Sequence, residues 1–217
     1  MLRSVWLHAA LILLTFVGAA FASGVRANDV SDQPVILVVG DSLSAGYGVP
    51  VDATWVALLQ RRLTSQGYDY RVVNASISGE TTGGARARLP RALELHRPAI
   101  VVLELGGNDG LRGLPVRQVR ENFESMISQS RAAGSKVVLL GMRMPPNYGT
   151  AYAEQFGALY RDLADKYESP LVDFFLDGVA ADDGLMQTDG IHPTSAAQPR
   201  LLDNVWPALR QALRRSE

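Results

Sequence analysis

The feature that most constrains this chain is an alternation. Short apolar runs rich in β-branched residues are followed by longer amphipathic stretches. Val35-Ile36-Leu37-Val38-Val39 stops at Gly40. A run of that length and make-up reads as a strand buried on both faces, as in a parallel sheet. Thr54 to Leu63 then carries Trp55, Val56, Leu58, Leu59 and Leu63 at helical spacing. Tyr70 to Val73, Ile100 to Leu105, Lys136 to Leu140 and Leu171 to Asp173 read as four further strands. Helices are expected from a Thr81 cap to about Leu95, with Pro98 as a stop, and over Pro115–Ala132, Tyr152–Tyr167 and Ser195–Arg214. Strict alternation of this kind argues for βαβ units: an α/β fold with a parallel sheet and helices on both faces. No repeat, linker or low-complexity segment interrupts it, so one domain over 28–217 is the simplest organisation.

The first residues stand apart from that pattern. Arg3 supplies a positive start, and Val5 to Phe21 is mostly apolar. Ala20-Phe21-Ala22 and Val25-Arg26-Ala27 both resemble signal-peptidase sites, so 1–27 reads as a signal peptide. The other reading is an uncleaved anchor, since the apolar run is nearly long enough to span a bilayer. With cleavage, no stable membrane anchor is left and the destination is an export compartment: periplasmic or secreted. Loss of Arg3 and Arg26 takes the formal charge from −1 to −3. That balance gives no reason to expect a nucleic-acid partner. The chain has no cysteine, which excludes disulfides, a thiol nucleophile and thiolate metal sites. Monomer is the default reading of its assembly.

In parallel sheets, ligands bind beyond the carboxyl ends of the strands. The distinctive sequence follows the strands here. Gly40-Asp41-Ser42-Leu43-Ser44, Asn74-Ala75-Ser76-Ile77-Ser78-Gly79, Gly106-Gly107-Asn108-Asp109-Gly110 and Asp189-Gly190-Ile191-His192-Pro193 are expected along one rim. His192 is the candidate base, with Asp189 three residues earlier able to fold back onto its ring. The other histidines are poorer candidates: His8 lies in the leader, and His96 ends a helix beside Arg97, where it satisfies carbonyls. Ser42 is the candidate nucleophile, exposed by a turn after a buried strand. Ser44 is its nearest rival, and Ser76 and Ser78 are others. Asn108 offers a side-chain N–H and Gly79 an unobstructed backbone N–H for an oxyanion. Taken singly, each is an ordinary turn or cap residue. Their convergence on one rim points to acyl transfer.

Those four blocks resemble the SGNH, or GDSL, hydrolase family, in order and spacing over essentially all of the chain after the leader. Asn-Ala-Ser-Ile-Ser-Gly at 74–79, Gly-Gly-Asn-Asp-Gly-Leu-Arg-Gly at 106–113 and Pro-Asn-Tyr-Gly at 146–149 narrow the likeness to its periplasmic thioesterase, lysophospholipase and arylesterase branch. The resemblance implies a three-layer α/β/α, flavodoxin-like fold. It implies Ser42, Asp189 and His192 as catalytic triad, and an oxyanion hole of the Ser42 and Gly79 N–H groups with Asn108. It implies broad acyl ester or thioester substrates and no metal or cofactor. Glu80 departs from the aspartate expected after the glycine. Leu111 and Met144 to Tyr148 are expected to line the acyl site.

Other signatures are missing. Ser44 stands where a Gly-x-Ser-x-Gly elbow needs glycine, and Val51 where a dinucleotide fingerprint needs its third glycine. Two alternatives stay open from sequence: a carbohydrate deacetylase of the same architecture, and a binding protein that holds an acyl ligand without turnover.

Overall fold

The computed structural model describes residues 33–214. The leader reading at 1–27 lies outside the described residues. Five strands form one parallel sheet: β1 (Val35–Gly40), β2 (Arg71–Asn74), β3 (Ile100–Glu104), β4 (Lys136–Leu140) and β5 (Leu171–Val172). Their order is β2-β1-β3-β4-β5, the flavodoxin-like arrangement. Every residue of β1 and β3 is buried, which is why both read as unbroken apolar runs.

The helices are α1 (Ser42–Ala45), α2 (Trp55–Ser65), α3 (Thr82–His96), α4 (Gly107–Leu111), α5 (Val116–Ala132), α6 (Thr150–Tyr167) and α7 (Gln198–Ala212). α3, α5 and α6 pack together over one face, and α2 and α7 over the other. The result is three layers, with Ile36, Leu37, Val101, Val102 and Leu139 wholly buried at the centre. Among the described residues no helix is long and apolar enough to cross a membrane.

Local chemistry accounts for the boundaries. Thr54 and Thr81 cap α2 and α3, their hydroxyls accepting from the N–H groups of Ala57 and Gly84. Tyr70 stands outside β2, because the ladder begins where the Arg71 N–H reaches the Pro34 carbonyl, 3.0 Å away. Leu105 leaves β3, its carbonyl accepting from the Tyr160 hydroxyl at 2.8 Å. Asp173 leaves β5 and pairs with Arg143 and Arg161. Ser195–Ala197 form a 3₁₀ turn ahead of α7. The short helices α1 and α4, expected as turns, both start just past carboxyl ends of strands.

The register aligns those ends. Asn74 lies opposite Val38, Gly40 opposite Glu104, Glu104 opposite Leu140, and Leu140 opposite Val172. Strand order reverses between β1 and β3, so the loops after these two strands diverge and leave a crevice. α1 and α4 flank it.

Candidate active site

Ser42 opens α1. Asp41 caps this helix, its Oδ1 accepting from the Leu43 N–H at 3.0 Å. Gly46 closes the helix at φ 79°, and its N–H returns to the Ser42 carbonyl. Here glycine is required on two counts: a Cβ would be strained in the left-handed region and would lie 2.3 Å from Thr54 Cγ2.

His192 reaches the same place from a loop after β5. In that loop Asp189 Oδ1 accepts from the N–H groups of Ile191 (2.9 Å) and His192 (3.0 Å). This is an Asx-type turn, and it leaves Oδ2 facing the ring. Asp189 Oδ2 lies 2.7 Å from His192 Nδ1, and His192 Nε2 lies 2.9 Å from Ser42 Oγ. The three side chains form one relay. The hydrogen bonds from the imidazole and from the two amides hold the Asp189 carboxyl down at about 2. It is therefore ionised wherever the imidazole works.

Two contacts fasten the histidine loop to the nucleophile turn. Gln187 Nε2 donates to the carbonyls of Tyr47 (2.8 Å) and Pro193 (3.0 Å). The Tyr47 ring lies against His192, centroids 4.4 Å apart.

Asn108 lies in α4, which begins after Gly106 at φ 104°. Asn108 Nδ2 donates to Asp41 Oδ2 at 3.0 Å. One amide hydrogen is thus held by Asp41, which leaves the other free to point into the crevice. The next residue anchors the helix: Asp109, fully buried, accepts from the backbone N–H and hydroxyl of Thr82 at the start of α3. Gly79 sits at φ 78° beyond Ile77, whose N–H bonds the Gly40 carbonyl at 3.0 Å. The Gly79 carbonyl accepts from Arg112 at 3.1 Å, which ties that loop to the end of α4.

Burial pushes the Asp41 carboxyl up to about 6, against the pull of the Leu43 and Asn108 donors. Glu104, fully buried beneath the same turn, is pushed well above the ordinary range by the same desolvation.

Ser42, Asn108 and His192 open onto a cavity of about 480 Å³. Its walls include Leu43, Leu111, Met142, Met144, Phe174 and Leu176. Leu111, Met144 and Pro145 line it as expected, whereas Asn147 and Tyr148 are exposed outside it. Two of the rival serines are placed otherwise. Ser44 is fully buried and donates to Glu104, and the Ser76 N–H bonds Asn74. His96 lines a different cleft, with Arg71 and Arg97, at the amino ends of β1 and β2.

Sequence reasoning missed Glu104, Tyr47 and Gln187, and gave Asp41 no role. Glu104 left one signal, as the only charged residue in the run from Ile100 to Leu105.

With this geometry in place, comparison with known proteins is decisive. The model of the GDSL-like lipase/acylhydrolase family matches residues 38–199. The chain belongs to that family. It is 57% identical over 178 residues to Esterase TesA of Pseudomonas aeruginosa, covering 82% of this chain and 89% of the relative. It is 42% identical over 198 residues to thioesterase 1/protease 1/lysophospholipase L1 of Escherichia coli strain K12, covering 91% and 87%. The crystal structure of the psychrotrophic esterase EstA from Pseudoalteromonas sp., inhibited by monoethylphosphonate, superposes with a TM-score of 0.79 at 38% identity, over 82% of this chain and 98% of that one. This family member is an ester and thioester hydrolase, with the α/β sheet of SGNH hydrolases.

Proposed function

We propose that the protein is an exported serine hydrolase that removes acyl chains through Ser42, His192 and Asp189. The observation that carries the reading is the continuous relay from Asp189 Oδ2 through both ring nitrogens of His192 to Ser42 Oγ, at 2.7 and 2.9 Å. Asp189 accepts a hydrogen bond from the Nδ1–H and so fixes the tautomer that leaves Nε2 as acceptor. His192 receives the Ser42 proton as Oγ attacks the acyl carbonyl. Charge on the carbonyl oxygen is met by Asn108 Nδ2 and the N–H groups of Ser42 and Gly79. His192 then protonates the departing alcohol or thiol, and water repeats the sequence on the acyl-enzyme.

The cavity favours chains longer than acetyl. Each buried methylene stabilises a bound acyl group by about 0.8 kcal/mol, and an acetyl group would leave the walls at Met142, Met144 and Phe174 unused. This weighs against the carbohydrate-deacetylase alternative. The leader at 1–27 supports export, and mass spectrometry of the exported protein would give a new amino terminus at 23 or 28.

The test is a matched panel of p-nitrophenyl, coenzyme A and lysophospholipid esters, from acetyl to palmitoyl, with fluorophosphonate labelling alongside. Turnover and labelling are both expected, and both vanish in Ser42→Ala. Turnover that survives in Ser42→Ala rejects the mechanism.

A further inference from the structure

Below the nucleophile turn lies a carboxyl that the relay does not use. Glu104 ends β3 and sits opposite Gly40 in the sheet, two residues ahead of Ser42. It is wholly buried. Its Oε2 accepts from the Ser44 hydroxyl at 2.6 Å, and the backbone amides of Asp41 and Ser44 also act on it. Its Oε1 is buried without a hydrogen-bond partner. A buried carboxyl with one oxygen unpaired is costly, and among the described residues Glu104 is the one carboxyl so placed.

The surroundings are shaped around it. A Cβ on Gly40 would lie 2.8 Å from Glu104 Oε2 and 2.8 Å from Ser44 Cβ, so the strand end admits the carboxyl only because residue 40 has no side chain. Ser44 is held from a second side, its carbonyl accepting from Asn74 Nδ2 at 2.8 Å. Ser42 lies between Asp41 and Ser44 in sequence, and both flanks are tethered to rigid strand ends. Four residues of helix have little rigidity of their own.

We propose that Glu104 is a positioning residue of the hydrolase, a buried clamp on Ser44 that holds the nucleophile turn and so aims Ser42 Oγ at His192. The proposal rests on the serine-hydrolase reading above. It deepens that reading by giving the turn a support from within the sheet. Glu104 touches no substrate. Its effect passes through the placement of Ser42, and a displacement on the order of 1 Å at a reacting atom costs up to about a hundredfold in rate.

The experiment compares Glu104→Leu, Glu104→Gln, Ser44→Ala and the double variant Ser44→Ala/Glu104→Leu in the full-length protein. The readouts are kcat and KM for a p-nitrophenyl ester, the rate of fluorophosphonate labelling, and Tm. Glu104→Leu is expected to slow kcat and labelling together by about tenfold or more, with KM within about twofold. Glu104→Gln keeps an acceptor for Ser44 and is expected to recover most of that loss. Ser44→Ala is expected to slow both rates several-fold, and the double variant to match Glu104→Leu within about twofold, because both substitutions break one contact. A lower Tm with kcat and labelling unchanged would overturn the proposal. If Glu104→Leu does not fold, Ser44→Ala at the full labelling rate overturns it as well. An unsubstituted protein that neither hydrolyses nor labels would sink the hydrolase reading itself, whereas an active one with fully active Glu104 variants sinks only the clamp.

Discussion

Asn108 Nδ2 donates to Asp41 Oδ2 at 3.0 Å, so the cap of the nucleophile helix also orients the side chain proposed for the oxyanion. The donor amide and the nucleophile then move as one unit. Asp41→Asn replaces the acceptor with a group that can present an N–H to the Asn108 amide. The expected result is a fall in kcat of about tenfold to a hundredfold, with KM little changed, since the lost interaction matters most in the transition state. Steady-state kinetics on an activated ester checks this. A kcat within twofold of the parent would remove Asp41 from the account.

The same carboxyl predicts an opposite effect on stability. Its folded-state value, about 6, lies above the ordinary 3.8, so the folded chain binds this proton more tightly than the unfolded chain. Stability from this group is therefore full below about pH 4 and is lost as pH rises through 6. Two units correspond to roughly 3 kcal/mol of cost at pH 7. The Tm of Asp41→Asn relative to the parent is therefore expected to be higher at pH 7.5 than at pH 4, since the mismatched donor facing Asn108 costs the same at both. Thermal denaturation at the two pH values checks the sign. A relative Tm that does not rise between pH 4 and 7.5 would contradict it.

Ionisation of Asp41 also enters the acid limb of the rate profile. The contact from the Asn108 amide is strongest to an ionised Asp41, so part of the fall in rate on the acid side is expected to follow Asp41 as pH drops through about 6. In Asp41→Asn that group no longer titrates, and its share of the acid limb should vanish. Acid limbs of identical shape in parent and variant would show that Asp41 titrates without consequence.

Asp189 carries the reverse shift. At about 2 it stays ionised throughout the working range, and its contribution to stability is present above 3.8 and lost only as pH falls through 2. Asp189→Asn presents an N–H to His192 Nδ1 and so favours the tautomer that cannot accept from Ser42. Catalysis is expected to fall by about a thousandfold or more, in line with the comparable substitution in serine proteases. Asp189 is exposed, so solvent screening keeps its contribution to stability small, and Tm should hardly move. Parallel measurement of kcat and Tm separates this from unfolding, and a loss of less than tenfold would deny Asp189 its role.

The fold and half of the site were legible for one physical reason. β1 and β3 are buried on both faces, and that state writes itself as an unbroken apolar run whatever the rest of the chain does. Ser42, Asn108 and His192 follow strand ends, where side chains of parallel sheets converge. Asp189 is local to His192, so spacing alone suggested the pair. Glu104 and Asp41 are different. Their partners, Ser44 and Asn108, are 60 and 67 residues away, and only the register of Gly40 on Glu104 brings them together. Tyr47 meets His192 across a gap in sequence more than twice as wide. Contacts made by strand pairing leave no spacing rule to read. The one trace was energetic: a lone carboxylate inside a buried run needs a reason.

The backbone at Gly106 gives a further test of how α4 is set. Its φ of 104° belongs to the region that favours glycine, and a Cβ there would lie 2.2 Å from the Tyr160 hydroxyl, which already bonds the Leu105 carbonyl. Gly106→Ala is expected to lose about 2–4 kcal/mol of stability, from strain and from a displaced buried hydrogen bond. Urea unfolding measures it. A midpoint unchanged from the parent would mean that α4 can be re-seated freely, and that Asn108 is less firmly held than its contacts imply.

The cavity makes the last prediction. Ala180 lines it and is itself exposed, so a larger side chain there fills space at the wall without entering the core. Ala180→Trp should leave the relay intact, and kcat/KM for an acetyl ester should stay within about twofold, because so short a chain gains little from the walls. A decanoyl ester depends on them. If the indole displaces four methylenes from the cavity, about 3 kcal/mol of burial is lost, a change on the order of a hundredfold in kcat/KM. The loss should grow with chain length, and appear in KM more than in kcat, since the methylenes are buried alike in the ground and transition states. A chain-length series on parent and variant resolves this. Equal losses for acetyl and decanoyl esters would place the acyl chain somewhere other than between Met144 and Phe174.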